Sequence, residues 1–137
     1  MDPVSIPLAR LRAICDPFTC PPWPKARGVS SKRVLGCLAA KTFEPAPIAH
    51  DASGIAHCRR IAWLMQEGWF DPIEVEVPIP GLGGPILWNI QDGNHRTYAA
   101  VLRGDEAISA LISGSLNYAE ELFGIRLLED ADACLAA

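Results

Sequence analysis

Ile90-Gln91-Asp92-Gly93-Asn94-His95-Arg96-Thr97-Tyr98-Ala99-Ala100 is the stretch on which the fold turns. Upstream, Ile86, Trp88 and Ile90 alternate with Leu87, Asn89 and Gln91, the period of a strand. Downstream, residues 97–103 carry Tyr98, Val101 and Leu102 at helical spacing, with Gly104 as the stop. The tetrapeptide Gly93-Asn94-His95-Arg96 then joins a strand to a helix. Glycine lets a backbone approach a ligand closely, the first turn of a helix offers unpaired N–H donors, and His95 and Arg96 add side-chain donors. Such a cradle suits phosphate.

Working outward, Asp51 or Ser53 is placed to cap a helix whose residues Ile55, Cys58, Ile61, Ala62 and Met65 recur at three- and four-residue steps, with Gly68 ending it. His57 and Arg60 share a face of that helix, one turn apart, so both can address one ligand. Residues 73–77 alternate as a second strand, and residues 78–85, rich in Gly and Pro, read as a long hairpin connection. After the 97–103 helix comes a strand over 107–112, an order that predicts a parallel right-handed unit with the strand before Gly93. A last helix is expected over 117–123, with Asn117 and Glu120 in capping positions. Near the start, residues 4–11 read as a short edge strand. Residues 16–50, broken by prolines but with a short helix after Ser30 or Ser31, read as a basic, Pro-rich insertion. Residues 126–137 form an acidic tail.

The 137 residues suit a single domain with one core, and a content of 50% apolar and 20% charged residues is that of an ordinary globule. The net charge of -4 argues against coating nucleic acid by bulk electrostatics. The charge is unevenly spread: residues 1–60 hold nine Lys/Arg against four Asp/Glu, a net +5, and the remainder three against twelve, a net -9. A basic front facing phosphate and a scatter of solvated side chains both fit that count. No apolar run approaches a membrane span, and residues 1–3 lack a basic leader region, so a cytoplasmic protein is expected. Five cysteines without a C-x-x-C pair predict reduced thiols, and their irregular spacing argues against a zinc site.

Three blocks together resemble the superfamily shared by the N-terminal domain of ParB partition proteins and by sulfiredoxin. They are residues 64–75, with the helix end and the Asp71-Pro72-Ile73-Glu74-Val75 strand start; residues 90–100; and residues 108–124. The resemblance implies a small α+β domain with a mixed sheet and flanking helices, and phosphate contact through Gly93, Asn94, His95, Arg96 and Thr97. It also implies ATP or CTP as ligand with Mg2+, and a further contribution from His57 and Arg60. Sulfiredoxins carry a cysteine between the turn glycine and the histidine, to attack an activated sulfinyl phosphate; Asn94 stands there, and an amide cannot do this. ParB proteins have a second arginine in this run and a following DNA-binding domain. The chain is therefore expected to be neither a sulfiredoxin nor a full partition protein. Single-domain members of the superfamily, often carried on plasmids or phages, are linked to nucleotide hydrolysis and DNA cleavage.

These features lead to an expected nucleotide-binding domain that hydrolyses NTP or cleaves a phosphate ester, with Arg96 neutralising phosphoryl charge, His95 donating a hydrogen bond or a proton, and Asp92 holding a metal ion or activating water. Plainer roles are open for each. Asp92 also suits an Asx turn, His95 a backbone cap, and Arg96 a salt bridge to Asp92 or Glu67. Arg96 needs some anion in any case, because a guanidinium at a helix start opposes the dipole. The alternative of another class is a non-enzymatic module whose residues 16–50 bind a protein partner or DNA.

Overall fold

The computed structural model describes residues 2–81 and 88–128. The chain folds as α+β. Four strands, β1 (Val4–Pro7), β2 (Ile73–Val77), β3 (Ile90–Asp92) and β4 (Ala107–Gly114), form one mixed sheet in the order β1-β4-β2-β3. Five helices accompany it: α1 (Leu8–Ile14), α2 (Ser31–Ala40), α3 (Gly54–Glu67), α4 (Asn94–Arg103) and α5 (Leu116–Phe123). None of the described helices is long and apolar enough to cross a membrane.

Alternation is kept in β2 and β4. Ile73, Val75 and Val77 are buried with Ile108, Ala110 and Ile112, while the residues between them lie nearer solvent, so the sheet buries one face. β4 is the hub, parallel to β2 and antiparallel to β1. The parallel unit predicted between the strand before Gly93 and β4 does not form. β3 pairs antiparallel with β2, which lies between β3 and β4, so the parallel partner of β4 is β2. The physical reason is that residues 73–77 and 90–92 close a local antiparallel pair, leaving α4 to cross over to the far side of β2.

Other boundaries also move. The expected edge strand over 4–11 stops at Pro7, where α1 begins. The strand expected over 86–91 narrows to Ile90–Asp92; residues 86 and 87 and half of the 78–85 connection, residues 82–85, lie outside the described residues, as does the tail beyond residue 128. Ser115, accepting from the Tyr118 amide at 3.2 Å, caps α5 in place of Asn117. Ser30 and Ser53 cap α2 and α3 as the sequence indicates.

Two buried clusters divide the molecule. One lies on the sheet and is aliphatic but for Cys15 and Phe123, with α1 and α5 beneath β1, β4 and β2. The other joins α2, α3 and α4 through Trp23, Val34, Cys58, Ile61, Leu64, Tyr98 and Ala99. α4 serves both, giving Ala100 to the sheet cluster and Tyr98 and Ala99 to the helical one. Trp23, from the proline-rich segment, is only 2% exposed, so residues 16–50 supply wall and core.

Candidate functional site

The start of α4 differs from the serine-capped starts of α2, α3 and α5. Its N-cap is Gly93, at φ 113° and ψ 24°, and no side chain closes it. The first helical bond runs from the Thr97 amide to the Gly93 carbonyl at 2.9 Å, so the amides of Asn94, His95 and Arg96 precede the ladder. A side chain at residue 93 would be strained by that φ and would run into Ile73, whose Cβ lies 2.7 Å from the place a Cβ would take. Glycine here is required by the packing of α4 against β2, whether or not a ligand binds.

The tetrapeptide opens onto a cleft of about 450 Å³, within the usual range of small-molecule sites. Its walls come from distant parts of the chain: Trp23, Pro47, Ile48 and His50 from the proline-rich segment, Arg60 and Leu64 from α3, Trp69 and Asp71 from the turn before β2, and residues 91–96. Arg60 is anchored by the carbonyls of Glu44 and Pro45, to which Nη1 donates at 3.4 and 2.7 Å. Burial lowers its pKa; Glu44 opposes that effect and the nearby charge of Arg96 adds to it.

Arg96 is held more firmly. Nη1 donates to the Asp71 and Pro72 carbonyls at 2.7 and 2.9 Å, and Nη2 to Asp92 Oδ2 at 3.2 Å. This is the salt-bridge alternative read from the sequence, with Asp92 as partner. The guanidinium therefore staples α4 to β3 and to the turn before β2, while still lining the cleft. Asp92 itself is 66% exposed. Two other members of the sequence-derived set serve the structure: Thr97 is fully buried and back-bonds to Gly93 O at 2.9 Å, and Asn94 Oδ1 accepts from Trp88 Nε1 at 2.7 Å.

The grouping invisible in the sequence is a histidine pair. His57, fully buried on α3, meets His95 of α4 with Nδ1 to Nε2 at 2.8 Å, and its Nε2 lies 3.2 Å from the His50 carbonyl. Trp23 lies against both imidazoles, with ring centroids 4.4 Å away in each case. A carbonyl only accepts, so His57 Nε2 carries the hydrogen. Burial lowers the His57 pKa; for His95, burial, with the charges of His57 and Arg60 behind it, pushes the pKa down to about 3. Both rings are therefore neutral at pH 7, and the network assigns their tautomers: His95 Nε2–H donates to His57 Nδ1, and His95 Nδ1 keeps a bare lone pair. His95 thus enters the cleft as an acceptor rather than as the donor or acid expected from sequence. His57 and Arg60 do not point together at one ligand: Arg60 lines the cleft and His57 lies behind His95.

Formal charge in the cleft is even, with Arg60 and Arg96 facing Asp71 and Asp92. Among the described residues no group of three or more His, Cys, Asp and Glu is arranged to hold a metal ion. Asp92, expected as a metal ligand, is instead paired with Arg96. Among the described cysteines, Cys15, Cys20, Cys37 and Cys58 are free thiols. Set against protein-family models, curated proteins and solved structures, the chain matches none.

Proposed function

We propose that the cleft at the head of α4 binds a nucleotide, ATP or CTP, with its phosphates against the amides of residues 94–96 and Arg60. The observation that carries this reading is the uncapped helix start, opening with a guanidinium into a concave, tryptophan-bearing cleft. The even charge balance suits a ligand that is anionic at one end and bears hydroxyl or amino donors elsewhere, for which Asp71 and Asp92 are acceptors. The resemblance to the ParB and sulfiredoxin superfamily points to the same ligand class and the same tetrapeptide, and the mixed sheet with flanking helices agrees with it.

Binding has more support than turnover. Arg96 spends three hydrogen bonds on the fold, and His95, neutral and committed to His57, has no proton to give at pH 7. Hydrolysis of NTP or of a phosphate ester rests on Asp71 or Asp92 orienting water, with Mg2+ brought in on the phosphates. Calorimetric titration with ATP and with CTP, each with and without Mg2+, tests binding; phosphate release and nicking of plasmid DNA test turnover. Saturable binding that weakens in Arg60→Gln is expected, and the absence of binding by millimolar nucleotide defeats the reading.

The alternative, a protein- or DNA-interaction module using residues 16–50, draws on Leu35, which is 46% exposed on α2 near Lys32 and Arg33. Capture of a partner that is lost in Leu35→Glu, with nucleotide binding absent, favours it.

A further inference from the structure

This inference rests on the nucleotide reading and narrows the ligand class. His95 Nε2 is taken by His57, and no described polar atom bonds Nδ1. No buried side-chain nitrogen or oxygen among the described residues lacks a partner, so Nδ1 reaches solvent, and the cleft is the open space that His95 lines. The ring cannot turn its donor outward without giving up the 2.8 Å bond to His57. A bare lone pair therefore stands beside the helix start. An ionised phosphoryl oxygen brought against it would set two acceptors together with no hydrogen between them.

We propose that His95 is a specificity-determining residue that selects a terminal phosphate monoester, bound with one P–O–H group donating to Nδ1, over a phosphodiester. A monoester can supply that hydrogen because its second ionisation lies near pH 6; a diester, including every internal phosphate of DNA, has no hydrogen to give. The same cleft that takes a free nucleotide thereby turns away a nucleic-acid backbone. His57 acts through His95 and is a positioning residue: its bond to the His50 carbonyl fixes which nitrogen of His57, and so which of His95, is bare.

The charged and titratable groups around His95 are His57 and Arg60 on α3, His50 ahead of α3, Arg96 on α4, Asp92 at the end of β3 and Asp71 before β2. All of these act on any anion, so the test must match ligand charge. At pH 5.5 ATP is mostly protonated on its terminal phosphate and carries about the same charge as its γ-methyl ester. The two then differ chiefly in the P–O–H group. Wild-type protein should bind ATP at least about tenfold more tightly than the γ-methyl ester at that pH. In His95→Gln, whose amide offers a donor as well as an acceptor, the ratio should fall towards one. Equal binding of the two ligands by the wild type overturns the proposal, as does a preference that survives in His95→Gln. If neither ligand binds, the nucleotide reading fails and this inference falls with it; if both bind equally, that reading stands and only the selection by His95 is lost.

Discussion

The two buried clusters are built from different chemistry. Beneath the sheet, Ile6, Leu11, Ile73, Val75, Ile112 and Phe123 bury aliphatic and aromatic carbon, and among the described residues buried there Cys15 alone brings an ionisable group. Between α2, α3 and α4, Val34 and Ile61 share a cluster with Trp23 and Tyr98, and Trp23 in turn stacks on His57 and His95. The first cluster is held by burial alone. The second must also satisfy polar atoms, and it does so by passing hydrogens in one direction, from His95 to His57 to the His50 carbonyl. A core of the first kind tolerates reshaping at a cost in stability. A core of the second kind carries the protonation state of the cleft on its surface, so damage to it is read out chemically as well as thermodynamically.

The largest effects should come from emptying either core, and they separate the two. Phe123→Ala and Trp23→Ala each remove a buried ring and should cost about 3–5 kcal/mol in urea unfolding. Only Trp23→Ala should change the cleft. With the tryptophan gone, water reaches the imidazoles and the His95 pKa should climb from about 3 towards its ordinary value, followed by NMR titration of the ring. A His95 pKa that moves equally in Phe123→Ala would erase the distinction between the cores.

Next in size is the staple between them. Arg96→Met removes the bonds to Asp71, Pro72 and Asp92 and should cost about 2–3 kcal/mol. Arg96→Lys should recover only part of this, because an ammonium cannot span three acceptors as a planar fork does. If lysine restores full stability, the residue matters as a charge rather than as a geometric clasp.

The aliphatic core was the legible one. Period-two alternation marked β2, and three- and four-residue spacing with a serine cap marked α3, because these signals are local and each is repeated several times. β3 was misjudged because the strand is only three residues long and its register shifts opposite Glu74 and Val75, too little pattern to fix a strand or its partner. The helical core left fewer traces. The tetrapeptide and Arg60 were read together from residue type and a glycine-to-helix junction, and they line one cleft. His57 and His95 are 38 residues apart, and nothing in either neighbourhood says that one imidazole will accept from the other. Trp23 sits among four prolines, where local rules read a loop; its burial depends on α3 and α4 already being packed.

Protonation sharpens the comparison further. The folded-state pKa values of His57 and His95 lie below the ordinary value, so the unfolded chain binds protons that the folded chain refuses. Their contribution is fully present above about pH 6.5 and is lost as pH falls from there towards about 3 for His95, at up to about 1.4 kcal/mol per pH unit for each ring. Urea unfolding at pH 7, 6 and 5 should show this decline, and His95→Gln should flatten it. A slope unchanged in His95→Gln would mean that the proton responsible binds elsewhere.

The smallest effect belongs to Asp92, and its smallness is informative. The carboxylate is 66% exposed and meets Arg96 at 3.2 Å, so Asp92→Asn should cost less than about 1 kcal/mol, since water screens the pair and the amide oxygen can still accept. The Asp71 and Pro72 carbonyls go on holding the guanidinium in place. What the substitution does change is the charge balance of the cleft, which becomes positive. If the α4 start holds an anion, nucleotide affinity should rise in Asp92→Asn by up to a few fold at low salt and converge with wild type as salt is added. A fall in affinity at unchanged stability would instead make the carboxylate a ligand contact, and would move the binding chemistry from the helix start to the end of β3.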